Sequence, residues 1–443
     1  MTQNLHPDSP VAALARRARS AALQLAALSN QQRCDALAAA AALLQQRSAE
    51  ILAANAADCA AARLLVEQGQ MSRAMFKRLQ IGDQGVAEMA GHLREVAALP
   101  DPLGRELAIT ALDDDLILHK VSCPLGVVAV IFESRPEVIP QLAALALRSG
   151  NALLLKGGSE AEHTNTVLAR IWRAALASLA GVPEDAINLL HTREDINQLL
   201  SLDHLVDLII PRGSQGFVRY IMEHSRIPVL GHGEGICHVY IDRAADLSKA
   251  LAVSFDAKVQ YPAVCNAAET LLVHQDIAAA FLPEMLARFA AAGVEVRGCP
   301  LTLALSPAQP LVPATEADWA TEYSDLIISV RIVESLQEAI DHINRWGSKH
   351  TEAIVTEDAA AAAQFMERVD AAGVYQNAST RFADGYRYGL GAEVGISTSK
   401  LHARGPVGLE GLTTYKYKLI GNGNTVASYV QGERTFKHRR LPV

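Results

Sequence analysis

Several things are scarce in this sequence of 443 residues, and each shortage excludes a class of protein. Cysteine occurs six times (Cys34, Cys59, Cys123, Cys237, Cys265, Cys299), far apart and without CxxC or Cys/His spacing. That pattern excludes a disulfide framework and a structural zinc site, and it fits a reducing cytoplasm. No apolar run reaches the ~18–20 residues of a membrane span. The start, MTQNLHPDSPVAALARRARS, lacks the apolar stretch of a secretory signal. Positive charge is in deficit, with 40 Lys and Arg against 48 Asp and Glu and a net charge of -8. A broad polyanion-binding surface, and hence a nucleic-acid partner, is not expected. Neither GxGxxG nor GxxxxGK[ST] occurs, so the two common nucleotide motifs give no support to a nucleotide site.

What is present suits an α/β enzyme. Half the residues are hydrophobic and a fifth are charged, the balance of a globular protein too long for one ordinary core. Residues 12–98 carry few helix breakers, and Leu37, Leu43, Leu44, Ile51 and Leu52 recur at helical spacing, so helices are predicted. The run Ala38 to Ala42 between Leu37 and Leu44 suits close helix packing. Pro100, Pro102 and Gly104 end the region.

Residues 107–121 predict a hairpin around Asp113-Asp114-Asp115. VVAVIF (127–132) reads as a fully buried strand, followed by a helix from Pro136 through Arg148. Strands follow at 152–156, 187–190 and 205–210, with helices between. A second alternating segment carries HVYI, a helix, ETLLVH (269–274), LIISVRIV (326–333), a helix over 335–345 and EAIVT (352–356). The fold class expected is therefore doubly wound parallel sheets, which take ligands at the carboxyl ends of their strands. The tail, 412–443, reads as a strand that pairs elsewhere, with the early hairpin as a candidate.

Two glycine clusters stand where strands turn into helices: Lys156-Gly157-Gly158-Ser159 and Arg212-Gly213-Ser214-Gln215-Gly216. Backbone N–H groups there would face a phosphate, although a tight turn alone also asks for glycine. Cys265 lies between a predicted helix and a strand. A lone cysteine is commonly a small buried hydrophobe. To act as a nucleophile it needs surroundings that favour its thiolate.

The runs IFESRPE (131–137), LLLKGGSE (153–160), IIPRGSQGFVRYI (209–221), VLGHGEGICHVYID (229–242), PAVCNAAETLLV (262–273), NASTRFADG (377–385) and YGLGAEVGISTSKLHARGPVGLEGLTTYKY (388–417) resemble the signatures of glutamate-5-semialdehyde dehydrogenases (gamma-glutamyl phosphate reductases), in family order. These belong to the aldehyde dehydrogenase superfamily. The resemblance implies a cofactor domain (1–104 and 122–237), a catalytic domain (238–411) and a small β oligomerisation element (105–121 and 412–443), and hence a homo-oligomer. It implies NADP as cofactor and Cys265 as nucleophile. It places Lys156 at the adenosine ribose, Gly213 and Ser214 at the pyrophosphate, and Glu322 at the nicotinamide ribose. Ser159, small and neutral where NAD-selective members often carry Glu, leaves room for a 2′-phosphate.

Departures from the wider superfamily bear on the reaction. Ser134-Arg135-Pro136 stands where aldehyde oxidisers place an oxyanion-binding Asn, so the oxyanion falls to the Cys265 backbone N–H and Arg135 is free to meet a substrate phosphate. The general-base glutamate aligns with Gly231, with Glu234 three positions away. Loss of the base suits an acyl phosphate reductase, whose thioester must not hydrolyse. Asn377, Ser379 and Arg381 are candidates for holding the amino and carboxylate ends of the substrate, a small molecule; Arg381 also suits a surface ion pair, and Glu322 a solvated surface carboxylate. The expected reaction is NADPH-dependent reduction of L-glutamate 5-phosphate to the semialdehyde plus phosphate, the second step of proline biosynthesis from glutamate. Rival readings are a hydrolytic aldehyde dehydrogenase and a non-catalytic partner of the glutamate 5-kinase; association with that kinase is an expected interaction in either case. Fusion to a kinase is not expected, since no further domain precedes residue 1.

Overall fold

The computed structural model describes residues 9–133, 135–231, 233–305 and 310–443. They form two compact units, one of Met1–Leu230, Leu390–Gly395 and Val407–Val443, the other of Gly231–Gly389 and Ile396–Pro406.

The first unit opens with helices α1 (Pro10–Leu25), α2 (Asn30–Gln46), α3 (Ser48–Glu67), α4 (Arg73–Leu79) and α5 (Asp83–Ala98). Serine starts several of them. The Ser9 hydroxyl accepts from Ala12 N–H, and Ser29 forms a reciprocal capping box with Gln32, which satisfies donors that a helix start leaves open. The alanine-rich α2 buries Ala36, Leu37, Ala40, Ala41 and Leu44, so small side chains there let helices approach closely.

Strands β1 (Glu106–Asp113) and β2 (Leu116–Pro124) form the expected hairpin. β3 (Val127–Phe132) follows, with all six residues buried. Then come α6 (Val138–Arg148), β4 (Ala152–Lys156), α7 (Glu162–Ala177), β5 (Ile187–Leu190), α8 (Arg193–Leu199), β6 (Leu208–Arg212) and α9 (Gln215–His224). The four strands from β3 to β6 lie parallel in the order β5-β4-β3-β6. Strand order therefore reverses between β3 and β6, the switch point at which such sheets open a crevice.

Two predicted boundaries shift. α6 starts at Val138 because Val138 and Ile139 N–H bond the carbonyls of Arg135 and Pro136, a tighter i to i+3 turn, before α-helical winding begins. β6 starts at Leu208, since the Asp207 carboxylate is spent on Val127 N–H at 2.7 Å and on Arg19 at 2.7 and 3.0 Å.

The second unit runs β7 (Cys237–Ile241), α10 (Leu247–Val259), β8 (Ala268–His274), α11 (Gln275–Ala291), β9 (Glu295–Gly298), α12 (Pro300–Leu305), β10 (Val312–Pro313), β11 (Ile327–Val333), α13 (Leu336–Trp346), β12 (Thr351–Val355), α14 (Ala359–Arg368) and β13 (Gly373–Gln376). Its parallel sheet has the order β10-β9-β11-β8-β7-β12-β13. Phe281, Met285 and Phe289 of α11 fill one face and Tyr240, Ile340 and Phe365 the other. Each such buried apolar side chain stabilises the fold by ~1.5–3 kcal/mol. β14 (Ile396–Ser397) and β15 (Gly405–Pro406) form a short antiparallel ladder.

In the tail, β16 (Thr413–Ile420) pairs with β2, and β17 (Arg439–Leu441) with β1, around the short helix α15 (Val426–Val430). The pairing makes a four-stranded antiparallel sheet with β16 at one edge. Arg434 bridges Asp113 and Asp115, and Lys437 pairs with Asp113 and Asp114. Two cations of the tail thus offset most of the charge of the three-aspartate turn it pairs with. Among the described residues no helix is long and apolar enough to cross a membrane, and no group of three or more His, Cys, Asp or Glu could hold a metal ion. All six cysteines are free.

Candidate active site

In the second unit Cys265 stands three residues ahead of β8, half-buried, in a turn closed by Ala267 N–H to the Val264 carbonyl at 2.9 Å. The Cys237 thiol, at the start of β7, donates to the Cys265 carbonyl at 3.3 Å. Burial pushes the Cys237 thiol well above its ordinary value, so it stays protonated and packs as an apolar group. Gly235 is pressed against the same loop. A Cβ on it would lie 2.3 Å from the Cys265 carbonyl oxygen and 2.5 Å from its Cα, so only glycine fits without moving backbone.

Asn266, the residue after Cys265, anchors a second segment. Thr380 Oγ1 donates to the Asn266 carbonyl at 2.7 Å, and Asn266 Nδ2 donates to the Ala383 carbonyl at 2.8 Å. Between those anchors lies Arg381, buried, with Nε donating to Gln260 Oε1 at 2.9 Å. Burial and then the neighbouring Arg387 lower its pKa, while the charges of Asp256, Cys265 and Asp384 oppose that shift. Arg381 is therefore a desolvated cation, and the Cys265 charge is among those that act on it.

The other two residues chosen with Arg381 have local duties. The Ser379 hydroxyl accepts from Arg381 N–H at 3.3 Å. Asn377, in the left-handed region at φ 53°, accepts from Thr356 N–H at 2.9 Å and donates to the Thr356 carbonyl at 3.0 Å and to Glu357 at 3.3 Å. Of the three, Arg381 is the one whose charge couples to Cys265. Glu322 is half-buried in the loop before β11, and Gly231 and Glu234 lie just ahead of Gly235.

The first unit gathers the other group at the carboxyl edge of its sheet. Lys156 ends β4, buried, with its ammonium donating to the Gly157 carbonyl. Burial lowers its pKa, against the pull of Glu162, Glu160 and Asp195. Ser159, exposed, begins the single 3-10 turn Ser159–Ala161. Gly213 follows β6, where a Cβ would come 3.1 Å from the Glu133 carboxyl carbon, so the turns after β3 and β6 meet. Ser214 is the N-cap of α9 and forms no side-chain cap bond. Space beside Gly216, in the first turn, is open. The first-turn N–H groups and positive helix end of α9 thus have no side-chain acceptor of their own at the N-cap, which fits a dinucleotide phosphate. Arg135 is half-buried after β3; Ser134 lies outside the described residues.

The sequence profile described as the aldehyde dehydrogenase family matches residues 5–300. A gamma-glutamyl phosphate reductase from Natronomonas pharaonis is 53% identical over 425 residues, 96% of each chain. The chain belongs to the gamma-glutamyl phosphate reductase family. A gamma-glutamyl phosphate reductase 1 from Synechocystis sp. is 54% identical over 97% of both chains. The crystal structure of gamma-glutamyl phosphate reductase from Thermotoga maritima, at 40% identity, matches 94% of this chain and 100% of its own with a TM-score of 0.91. Within this aldehyde dehydrogenase group of oxidoreductases, gamma-glutamyl phosphate reductases work with a nicotinamide cofactor.

Sequence reasoning passed over Gly235, Cys237, Lys258 and Glu269. A signal existed for the last two: Glu269 interrupts the apolar strand AETLLVH, and Lys258 occupies the inner face of α10. Nothing in the sequence marks Gly235 among 29 glycines.

Proposed function

We propose that this chain reduces L-glutamate 5-phosphate to L-glutamate 5-semialdehyde and inorganic phosphate, with NADPH as reductant, as the second step from glutamate to proline. The observation that carries this reading is the 53–54% identity, over 96–97% of the chain, to proteins named gamma-glutamyl phosphate reductase. The Cys265 thiolate attacks the γ-acyl carbon. A C–S bond forms, the C–O bond to phosphate breaks, and phosphate leaves with the electron pair. Arg381 holds the substrate's carboxylate, while Ser379 and Asn377 shape the turn that presents it. Arg135 is assigned the phosphoryl group. The oxyanion is received by the Cys265 backbone N–H.

Lys156 and Ser159 are assigned the adenosine ribose and its 2′-phosphate, Gly213 and Ser214 the pyrophosphate, and Glu322 the nicotinamide ribose. When bound, NADPH supplies the hydride that reduces the thioester carbonyl. The thiohemiacetal then takes a proton from its surroundings and collapses, returning Cys265 as thiolate or thiol and releasing the aldehyde. Free cysteines throughout suit a reducing cytoplasm. A second copy of the chain would suit β16, a sheet edge that exposes Tyr415, Tyr417, Leu419 and Ile420, since an open strand edge invites pairing.

A second reading, hydrolysis of the thioester to glutamate, draws on one observation: Glu234 adjoins Gly235, which touches Cys265. A positioned base contributes typically ~10²–10⁴-fold to such a step. The test is oxidation of the semialdehyde with NADP, followed at the nicotinamide absorbance against phosphate concentration. Phosphate-dependent turnover with a higher kcat/KM for NADP than for NAD is expected. Steady turnover to glutamate without phosphate would replace the reductase reading with the hydrolytic one.

A further inference from the structure

Lys258 and Glu269 bracket the nucleophile. Lys258 is the penultimate residue of α10, seven positions before Cys265, and Glu269 is the second residue of β8, four positions after it. Their side chains meet at 2.6 Å (Nζ to Oε2), both at 0% exposure. This clasp closes the Cys265 loop at its base. The other carboxylate oxygen of Glu269 accepts from Ser324 N–H at 3.2 Å. Ser324 has φ 53°, in the left-handed region, a conformation that persists where surrounding bonds hold it. Tyr323 beside it is fixed by Asp318 Oδ1 at 2.8 Å and Ser329 Oγ at 2.7 Å. Glu322, the residue assigned to the nicotinamide ribose, is carried on this same loop, and its charge bears on Glu269.

We propose that Lys258 and Glu269 are a positioning pair for the reaction, tying the Cys265 loop and the Glu322 loop into one rigid piece. The inference rests on the reductase reading for the role of Glu322 and of Cys265, and it assigns the pair no contact with substrate. Two charges buried side by side are a poor way to gain stability, because desolvation offsets their attraction and apolar residues of the same volume do as well or better. What apolar residues cannot supply is a bond to the Ser324 N–H and a fixed bridge across the loop ends. Burial pushes the Glu269 carboxyl up, to about 7, against the pull of Lys258, and burial lowers Lys258, against Glu269, Asp325 and Cys237. The Lys258 ammonium donates to Glu269 at 2.6 Å, out of contact with solvent.

The experiment compares the full chain with Glu269→Gln, Lys258→Met and the double variant Lys258→Met/Glu269→Leu. The double variant leaves no orphaned charge, so its fold, followed by circular dichroism and Tm, should survive even where a single variant fails. Two readouts need no acyl phosphate: alkylation of Cys265 by iodoacetamide, followed at that peptide by mass spectrometry, and NADPH binding by fluorescence titration. Misplacement of a reacting group by about 1 Å can cost on the order of a hundredfold. The folded double variant should therefore lose about ten- to a hundredfold in kcat, with altered Cys265 alkylation and NADPH affinity weakened about tenfold. Glu269→Gln, which keeps an acceptor for Ser324, should retain more NADPH affinity than the double variant. A folded double variant with wild-type alkylation, NADPH affinity and kcat overturns the proposal. Failure of the reductase reading would appear separately, as a wild-type chain that does not turn over the acyl phosphate.

Discussion

The residues assigned to the cofactor and the candidate nucleophile stand at opposite edges of two parallel sheets. In the first unit, Lys156 ends β4, Gly213 and Ser214 follow β6, and Arg135 follows β3. In the second, Cys265 precedes β8 and lies at the amino edge. Helix starts at the carboxyl edges differ too. In the first unit the N-caps of α6 and α9 make no side-chain cap bond, whereas α8 is closed by a Thr192–Asp195 capping box and the start of α7 by the Asp58 carboxylate, which accepts from His163 and Thr164 N–H. In the second, Asp246, His274, Ser335 and Asp358 cap α10, α11, α13 and α14 with their own side chains. The second carboxyl edge still has a cavity of about 420 Å³, lined by Asp242, His274, Ser335 and Asp358 among others, but its helix starts already have acceptors. The open start of α9 is the one assigned to phosphate, and the capped starts of the second sheet are not.

The largest effect should come from the amino edge of the second sheet. Cys265→Ala is expected to lower kcat by about a thousandfold or more, with NADPH still bound. Activity within about tenfold of wild type, roughly 1.4 kcal/mol of barrier, would remove Cys265 from the mechanism. Gly235→Ala comes next. Its Cβ would enter the Cys265 backbone at 2.3–2.5 Å, and a shift of about 1 Å there should cost on the order of a hundredfold in kcat. NADPH titration should be unchanged. If it weakened as much as kcat fell, the glycine would serve the fold as a whole.

A paired substitution sharpens the contrast between helix starts. Ser214→Asp would fill the open start of α9 with a carboxylate, and NADPH affinity should fall by about tenfold while Tm holds or rises. Asp358→Ala removes a working cap from α14 and should lower stability by about 1 kcal/mol with kcat and KM unmoved. The reverse pattern would mean that capping does not separate the two helix starts.

The last test concerns acid. Burial holds His342 down to about 2, far below an ordinary imidazole. The unfolded chain binds this proton below about pH 6.5 and the folded one does not, so this contribution is present above that pH and is lost as pH falls from about 6.5 toward 2. The fully or nearly buried histidines, His238, His274, His342 and His350, all belong to the second unit. Hydrogen exchange read by mass spectrometry at falling pH should show that unit losing protection before the first, and His342→Leu should delay the loss. Simultaneous loss in wild type and variant would discount His342.

Much of the fold was legible because its signals are local. Six consecutive apolar residues at 127–132 and four at 152–155 read as buried parallel strands, and the glycines after Lys156 and Arg212 marked the turns at which a phosphate was expected. The tail's pairing with the hairpin also followed from strand character at 412–420. Cys265 became legible through the family signatures around it, since a lone cysteine looks the same whether buried or reactive.

From the sequence came the class of fold, the family and the candidacy of Cys265 as nucleophile, because each is written in neighbouring residues or in signatures along the chain. Only the tertiary structure decided which groups surround Cys265. The Gly235 contact, the bond from Cys237 and the Lys258–Glu269 clasp join residues 11 to 30 positions apart, by distances of a few ångströms. No periodicity encodes such meetings. They arise when strands pair in register and a buried charge must find its partner. Asn377, read from the sequence as a hand for the substrate, is likewise given its bonds to Thr356 and Glu357 by the meeting of β12 and β13.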